Sequence, residues 1–296
     1  FFIVGAPKCG TTALDSYLKQ HPEIFIPERK EAHYLCSDFK APLYIDNLNK
    51  YLELFDDAKH CKRVGESSVY YLSSQEAAEN IKHFSPNAKI IIMLRNPVDM
   101  MYSNHSQLLY SGFETIKDFG LALAAESDRK IGKSLPRSLI VSENHLFYRE
   151  TVKYTDQVKR YFDVFGRENV HVIIFDDFKS ETEKVYKETL EFLEVESEFT
   201  MEHEAVNSNA STRSQILRKL LVYPSSHIVG LVRLLLPNRR IRGLLVNMLN
   251  NFNTDNSKRA SMPSDLESEL YGEFEGEISR LSDLLKRDLS AWIRKF

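Results

Sequence analysis

Phe1-Phe2-Ile3-Val4-Gly5-Ala6-Pro7-Lys8-Cys9-Gly10-Thr11-Thr12 is the stretch that decides the fold. An apolar run, Phe1 to Val4, enters a loop bounded by glycines and leads straight into an amphipathic helix. A strand, a glycine loop and a helix in that order make an anion cradle, because loop N–H groups and the positive end of the helix point at one spot. A loop for ATP or GTP reads G-x-x-x-x-G-K-[ST], with its lysine after the second glycine. Here Thr11 holds that position and the lysine, Lys8, lies inside the loop. The expected ligand is therefore a phosphate-like group other than the γ-phosphate of ATP.

A second stretch has the same organisation. Ala88 to Leu94 is an apolar run rich in β-branched residues, as in a buried parallel strand. Arg95-Asn96-Pro97 follows, so Arg95 stands at the carboxyl end of that strand, where ligands of parallel sheets gather. Pro97 suits the first position of a helix, which sets Ser103 near its second turn. Two readings of Arg95 stand here: an anion contact shared with Ser103, or a helix-entry arginine paired with Asp99.

P-K-C/S-G-T-T after a first strand resembles the 5′-phosphosulfate loop of sulfotransferases that use 3′-phosphoadenosine 5′-phosphosulfate (PAPS). The stretch from Arg95 to Ser103 is similar to the R-[ND]-P-x(5)-S site for the 3′-phosphate in the same family. The resemblance implies that Lys8, Cys9, Gly10, Thr11 and Thr12 surround the 5′ group, with Lys8 neutralising the leaving phosphate. It also implies that Arg95 and Ser103 hold the 3′-phosphate, that 3′-phosphoadenosine 5′-phosphate (PAP) is the product, and that no metal is needed. Lys30-Glu31-Ala32-His33-Tyr34 resembles the K-E-x-H-[FY] segment of heparan-sulfate-type members, whose glutamate is the catalytic base. Glu31 is then the base and His33 its partner, or His33 is itself the base. In an extended segment residues 31 and 33 share a face. A plain solvated charged turn is the alternative for Glu28 to Glu31.

The chain departs from the heparan-sulfate pattern at Ser67, where those enzymes carry a lysine, and it has no cysteine-bounded loop near its C-terminus. Val206 to Ser214 is similar to an N-x-[ST]-x(3)-R-S stretch of bacterial members, which makes Arg213 a candidate to close over the 3′-phosphate; a polar loop with Ser211 or Thr212 as a helix cap is the alternative. Asp288-Leu289-Ser290-Ala291-Trp292 resembles the closing D-L-S-x-W of bacterial sulfotransferases.

Strand candidates near 1–4, 64–66, 88–94 and 170–175 alternate with helix candidates at 11–20, 44–55, 74–84, 97–110, 115–126, 150–165 and 180–194. That order predicts an α/β fold in which helices flank a central parallel sheet, within one sulfotransferase domain spanning 1–296. Asp176-Asp177, after the last strand, reads as turn and capping chemistry. Leu266, Leu270, Phe274, Ile278, Leu281 and Leu285 mark a long amphipathic helix starting near Ser261 and Pro263. Residues 228–252 are apolar and basic but broken by Pro237. They read as a helical pair on the core or beside the acceptor, or as a surface lying on a membrane interface or holding a lipid-like acceptor.

With 43% hydrophobic and 27% charged residues, the chain suits one large core. A net charge of −3 without a basic stripe argues against nucleic acid as a partner. Cys9, Cys36 and Cys61 show no metal-ligand spacing and no even disulfide set, so a reducing cytoplasm is the expected location. The sequons at Asn104 and Asn209 fall beside the expected cofactor site, where a glycan would obstruct binding. Phe1 already lies inside a strand, so the expected native N-terminus is upstream, and a removed membrane anchor with a lumenal location stays open. The expected activity is sulfuryl transfer to a small molecule, a glycan or a glycolipid. The rivals are a small-molecule kinase and an inactive PAP-binding protein on the same fold.

Overall fold

The computed structural model describes residues 1–58, 60–137, 139–202, 238–255 and 260–293, with the separate positions 211, 212, 221, 230, 232 and 234. The chain divides into two compact units, Phe1–Met101 with Ile140–Val206 and Ser264–Phe296, and Tyr102–Leu139 with Asn207–Pro263.

The first unit is organised by its strands: β1 (Phe2–Gly5), β2 (Ile24–Phe25), β3 (Arg63–Val64), β4 (Glu66–Ser67), β5 (Ile90–Leu94) and β6 (Val170–Ile174). Every residue of β1 and β5 is buried, as expected of strands covered on both faces. The main sheet is parallel in the order β4-β1-β5-β6, with Ile90 opposite both Phe2 and Val170. The chain leaves β1 for β4 on one side and then returns across β1 to β5. The carboxyl end of β1 is therefore the switch point at which parallel sheets form their ligand crevice. β2 and β3 make a separate parallel pair. The strand expected at 64–66 is thus two strands in two sheets, divided at Gly65, where a Cβ would come within 2.2 Å of the Phe1 ring.

The helices follow the expected order: α1 (Thr11–Lys19), α2 (Leu48–Leu52), α3 (Ala77–Phe84), α4 (Pro97–Ser111), α5 (Phe119–Ala124), α6 (Glu126–Arg129), α7 (Tyr148–Thr151), α8 (Tyr154–Phe165), α9 (Phe175–Ser180), α10 (Thr182–Phe192), α11 (Arg239–Asn253) and α12 (Ser264–Leu285). The helix expected at 44–55 is shorter because the Asn47 side chain accepts the Lys50 N–H and starts α2 there. Ser74 accepts the N–H of Ala77 and delays α3 in the same way, as Asp118 does for α5. The helices expected at 150–165 and 180–194 each follow a separate short helix, α7 and α9.

α12 buries Leu270, Phe274, Ile278 and Leu281, and Leu266 and Leu285 at its ends are half-buried. It is tied to the start of α8 by Glu277, which accepts the Thr155 N–H at 2.7 Å, and to α7 by the Arg149–Glu273 pair, also at 2.7 Å. Beyond it, Asp288 accepts the Ser290 N–H and Trp292 is buried. The Trp292 indole donates to Asp176 at 2.8 Å, and its carbonyl accepts from Asn96 at 2.9 Å. The closing motif thus ties the turn after β5 to the first turn of the helix after β6.

The second unit holds most of α4 together with α5, α6 and α11. Its interior contains an ion pair between Arg129 and Glu114 at 2.9 Å, both fully buried, with Glu114 also accepting the N–H groups of Thr115 and Ile116. Asn104, one of the two sequon asparagines, is buried within α4; Asn209 lies outside the described residues. Ser211 and Thr212 form β7 (Ser211–Thr212), paired antiparallel with β8 (Thr254–Asp255). Among the described residues no helix is long and apolar enough to cross a membrane.

Candidate active site

The loop from Gly5 to Gly10 leaves β1 at the switch point, and backbone geometry shapes it. Lys8 has φ 60°, and Gly10 caps α1 at φ 90°. A Cβ at Gly10 would stand 3.1 Å from Phe175 in a backbone region that disfavours side chains, so this position requires glycine. Because Gly10 offers no side-chain cap, the N-terminal end of α1 keeps its partial positive charge for a ligand. Cys9 is buried, its thiol contacts the Pro7 carbonyl at 3.4 Å, and burial pushes that thiol up to about 12. Its side chain therefore packs, and only its backbone N–H suits an anion.

Lys30 reaches α1 from another segment: its ammonium donates to Thr12 Oγ1 at 3.4 Å and lies 3.8 Å from buried Asp15. Burial raises the Asp15 carboxyl, opposed by Lys30 and Lys19. Sequence reasoning quoted Lys30 without giving it a role; its signal is its place immediately before Glu31.

Glu31 and His33 meet, though not by the extended geometry expected of them. Both residues are left-handed, at φ 58° and 51°. Such residues cost roughly 1–3 kcal/mol each and persist where their surroundings over-determine them. Here the strand end at β4 does so. The Glu31 N–H donates to the Ser67 carbonyl at 2.9 Å, the His33 N–H donates to Ser68 Oγ at 3.0 Å, and the Val69 N–H donates to Glu31 Oε2 at 3.0 Å. The His33 Nε2 lies 3.0 Å from the same Oε2. Burial alone would raise the Glu31 carboxyl, but the hydrogen bond and charge of His33, with Lys30 and the Val69 N–H, hold it below the ordinary carboxylate value. About a third of its side chain still meets solvent, 38%, so a substrate can reach it. Since the carboxylate accepts, His33 presents an N–H at Nε2, and its buried Nδ1 has no hydrogen-bond partner among the described residues.

A second carboxylate, Glu66, lies behind this segment, 3% exposed. Burial pushes it up to about 7, opposed by a hydrogen bond from Ser68 and by Tyr71 and Tyr51. Ser68 thus links Glu66 to the His33 backbone. Ser67, where the related pattern has lysine, is buried with its hydroxyl unpartnered, and Lys30 brings a cation to the start of the loop helix.

Arg95 stands at the end of β5 as expected. Its guanidinium lies 3.6 Å from Asp99, the pairing the sequence left open, and 5.0 Å from the centroid of the Phe175 ring. Phe175 is also the ring that abuts Gly10, so one phenyl group spans the phosphate-type loop and Arg95. Sequence reasoning missed Phe175, whose only signal is its place as the first residue after β6. Ser103 is buried on α4 in the second unit, and Arg213 lies outside the described residues. The first unit therefore brings together the loop, Lys30, Glu31, His33 and Arg95.

Aromatic side chains surround His33: Tyr44 with ring centroids 4.3 Å apart, and Tyr70, Tyr71 and His145 each at 6.0 Å. In the same unit a cleft of about 520 Å³ is lined by Asp38, Gln75, Asn144, Phe147, Glu150 and Arg160, among others. None of the residues singled out from sequence lines it.

A family model described as the sulfotransferase domain matches residues 1–219. The crystal structure of a sulfotransferase from Alicyclobacillus acidocaldarius is 34% identical, covers 99% of this chain and 98% of that one, and superposes with a TM-score of 0.73. Among curated proteins, the membrane-associated sulfotransferase kil1 of Dictyostelium discoideum is 32% identical over 105 residues, and carbohydrate sulfotransferase 15 of Homo sapiens is 31% identical over 147. Each match covers 36% of this chain, and the chain spans only 22% and 26% of those two proteins.

Proposed function

The chain belongs to the sulfotransferase family, and from that premise we propose that it transfers the sulfuryl group of PAPS to a hydroxyl or amine of a carbohydrate or glycolipid acceptor, releasing PAP. The observation that carries this reading is a carboxylate, Glu31, held ionised yet accessible within one segment of a lysine that reaches the anion-cradling helix. The Val69 N–H and the His33 ring both address Oε2, which leaves Oε1 to take the acceptor proton.

In this scheme the acceptor oxygen or nitrogen attacks sulfur in line, its proton passes to Glu31, and the bond from sulfur to the bridging phosphate oxygen breaks. General-base help is needed because a neutral hydroxyl is a poor nucleophile. Lys8, with Gly10, Thr11 and Thr12, stabilises the negative charge that grows on the leaving phosphate. Lys30 adds a second cation at that helix, and Arg95 grips the 3′-phosphate. The domain is taken as 1–296, both units included.

Two observations support the acceptor class. One relative is named for carbohydrate sulfation. On α11 Met248 and Phe252, one turn apart, are exposed, an apolar pair suited to a membrane interface that carries a glycolipid.

The test is labelled PAPS offered with chondroitin, N-deacetylated heparan chains, glucosamine, a galactosyl lipid in vesicles, and a phenol. Label on a sugar or glycolipid is the expected result. Magnesium-dependent turnover of ATP would make the protein a kinase. PAP binding without transfer to any member of the panel would make it a binding protein.

A further inference from the structure

The His33 ring is placed by contacts from a segment more than a hundred residues away. Glu143–Leu146 is a 3₁₀ turn started by Ser142, whose side chain accepts the Asn144 N–H, and it delivers His145 into the interior at 6% exposure. The His145 ring stacks on Tyr70 with centroids 3.6 Å apart and planes 16° from parallel. Its Nε2 lies 2.5 Å from the Tyr44 hydroxyl. Burial, reinforced by the neighbouring His33, holds His145 well below the usual imidazole range, so both partners of that bond are neutral. Between a neutral phenol and a neutral imidazole, the phenol O–H is the better donor and the ring nitrogen the better acceptor. Tyr44 therefore donates to Nε2, and the imidazole proton sits on Nδ1.

This bond, with the Ser142 backbone that also meets the hydroxyl, fixes the Tyr44 side chain. Tyr44 in turn covers the His33 ring at 4.3 Å and 36°. Among the described residues His33 has no hydrogen bond on Nδ1 to fix that edge of its ring, and its side-chain hydrogen bond goes to Glu31. Its orientation consequently depends on the rings packed around it, and Tyr44 is the nearest of these. A phenyl ring at 145 would fill the same space and stack on Tyr70, but it would not hold the Tyr44 hydroxyl. What the imidazole adds is that hydrogen bond.

We propose that His145 is a positioning residue for sulfuryl transfer: by holding Tyr44 against the His33 imidazole, it keeps the His33 Nε2–H aimed at Glu31 Oε2 and so leaves Oε1 as the basic oxygen. This rests on the reading of Glu31 and His33 as the base and its partner.

Nitrogen-15 spectra of imidazole-labelled protein test it without an acceptor. The wild type should show His33 as one Nε2–H tautomer. In His145→Phe the His33 signal should move to averaged tautomers, and kcat with PAPS and chondroitin should fall about tenfold or more, as misplacing a reacting group commonly does, while PAP affinity and Tm hold. His145→Gln presents an oxygen near the Nε2 position and should restore both readouts. Tyr44→Phe, which removes only the hydroxyl and is the variant to use should His145→Phe fail to fold, should behave as His145→Phe does. An unchanged His33 tautomer in His145→Phe and Tyr44→Phe overturns the positioning role. So does a loss of kcat matched by equal loss of PAP affinity and Tm with no rescue by glutamine. Normal turnover in Glu31→Gln would instead remove the base reading and leave the tautomer result to stand by itself.

Discussion

The phosphate-type loop and the Lys30–His33 segment sit in the same unit and are built in opposite ways. The loop is local: β1, Gly5 to Gly10 and α1 are contiguous, and the groups proposed to meet the ligand are backbone N–H and one lysine. The Lys30–His33 segment has no regular structure, two left-handed residues, and hydrogen bonds to Ser67, Ser68 and Val69 in place of a helix or strand. On the proposed reading a loop of the first kind meets only the donor and tolerates any acceptor. A segment of the second kind is tuned by distant residues, and acceptor choice and chemistry can change there without disturbing the cradle. The account therefore predicts that damage to one region leaves the other working.

The largest effect is expected at Lys8. Its charge matters most when negative charge grows on the leaving phosphate, so Lys8→Ala should lower kcat about 10²–10³-fold, the cost of losing one such stabiliser, with a far smaller change in PAP affinity. Single-turnover transfer and calorimetric PAP titration check this, and a parallel loss of both would merge binding and chemistry at that residue.

Next comes Arg95. Arg95→Ala should weaken PAP about 10–100-fold, the range for a lost charged hydrogen bond, while the same variant binds AMP as the wild type does. Equal PAP affinity in both proteins would return Arg95 to its bond with Asp99 alone.

A smaller effect concerns Glu66, behind the acceptor segment. Its folded value of about 7 lies above the ordinary carboxylate value, so the folded state binds the proton more tightly than the unfolded chain. Its contribution is fully present below the unfolded value and is lost as pH rises through 7. Glu66→Gln should therefore flatten the fall in stability between pH 5 and 8 by on the order of 1–3 kcal/mol, read from denaturant unfolding at several pH values. A steeper fall in the variant than in the wild type would contradict this.

The same contrast explains what was legible in the sequence. The order of strands and helices, the loop, Arg95 at a strand end and the α12 stripe all depend on residues close in sequence, and their patterns survive without tertiary information. The pairing of Glu31 with His33 was legible as a motif but not as geometry. An extended segment would set the two side chains on one face, whereas a left-handed path held by the end of β4 brings them to 3.0 Å. Lys30 against Thr12, Phe175 beneath Arg95 and Gly10, and His145 against Tyr44 had no local signature, because each is made by packing between segments far apart in the chain. The split of 64–66 into two sheets was hidden for the same reason: a single glycine, Gly65, marks it.

The most direct test of the account is Glu31→Gln, with PAP affinity and sulfuryl transfer measured on the same preparation. The substitution keeps size and most hydrogen bonding but cannot take a proton. The account predicts turnover lower by about 10²-fold or more with PAP affinity unchanged. Near-normal turnover in this variant, together with an inactive His33→Ala, would contradict it and make His33 the base.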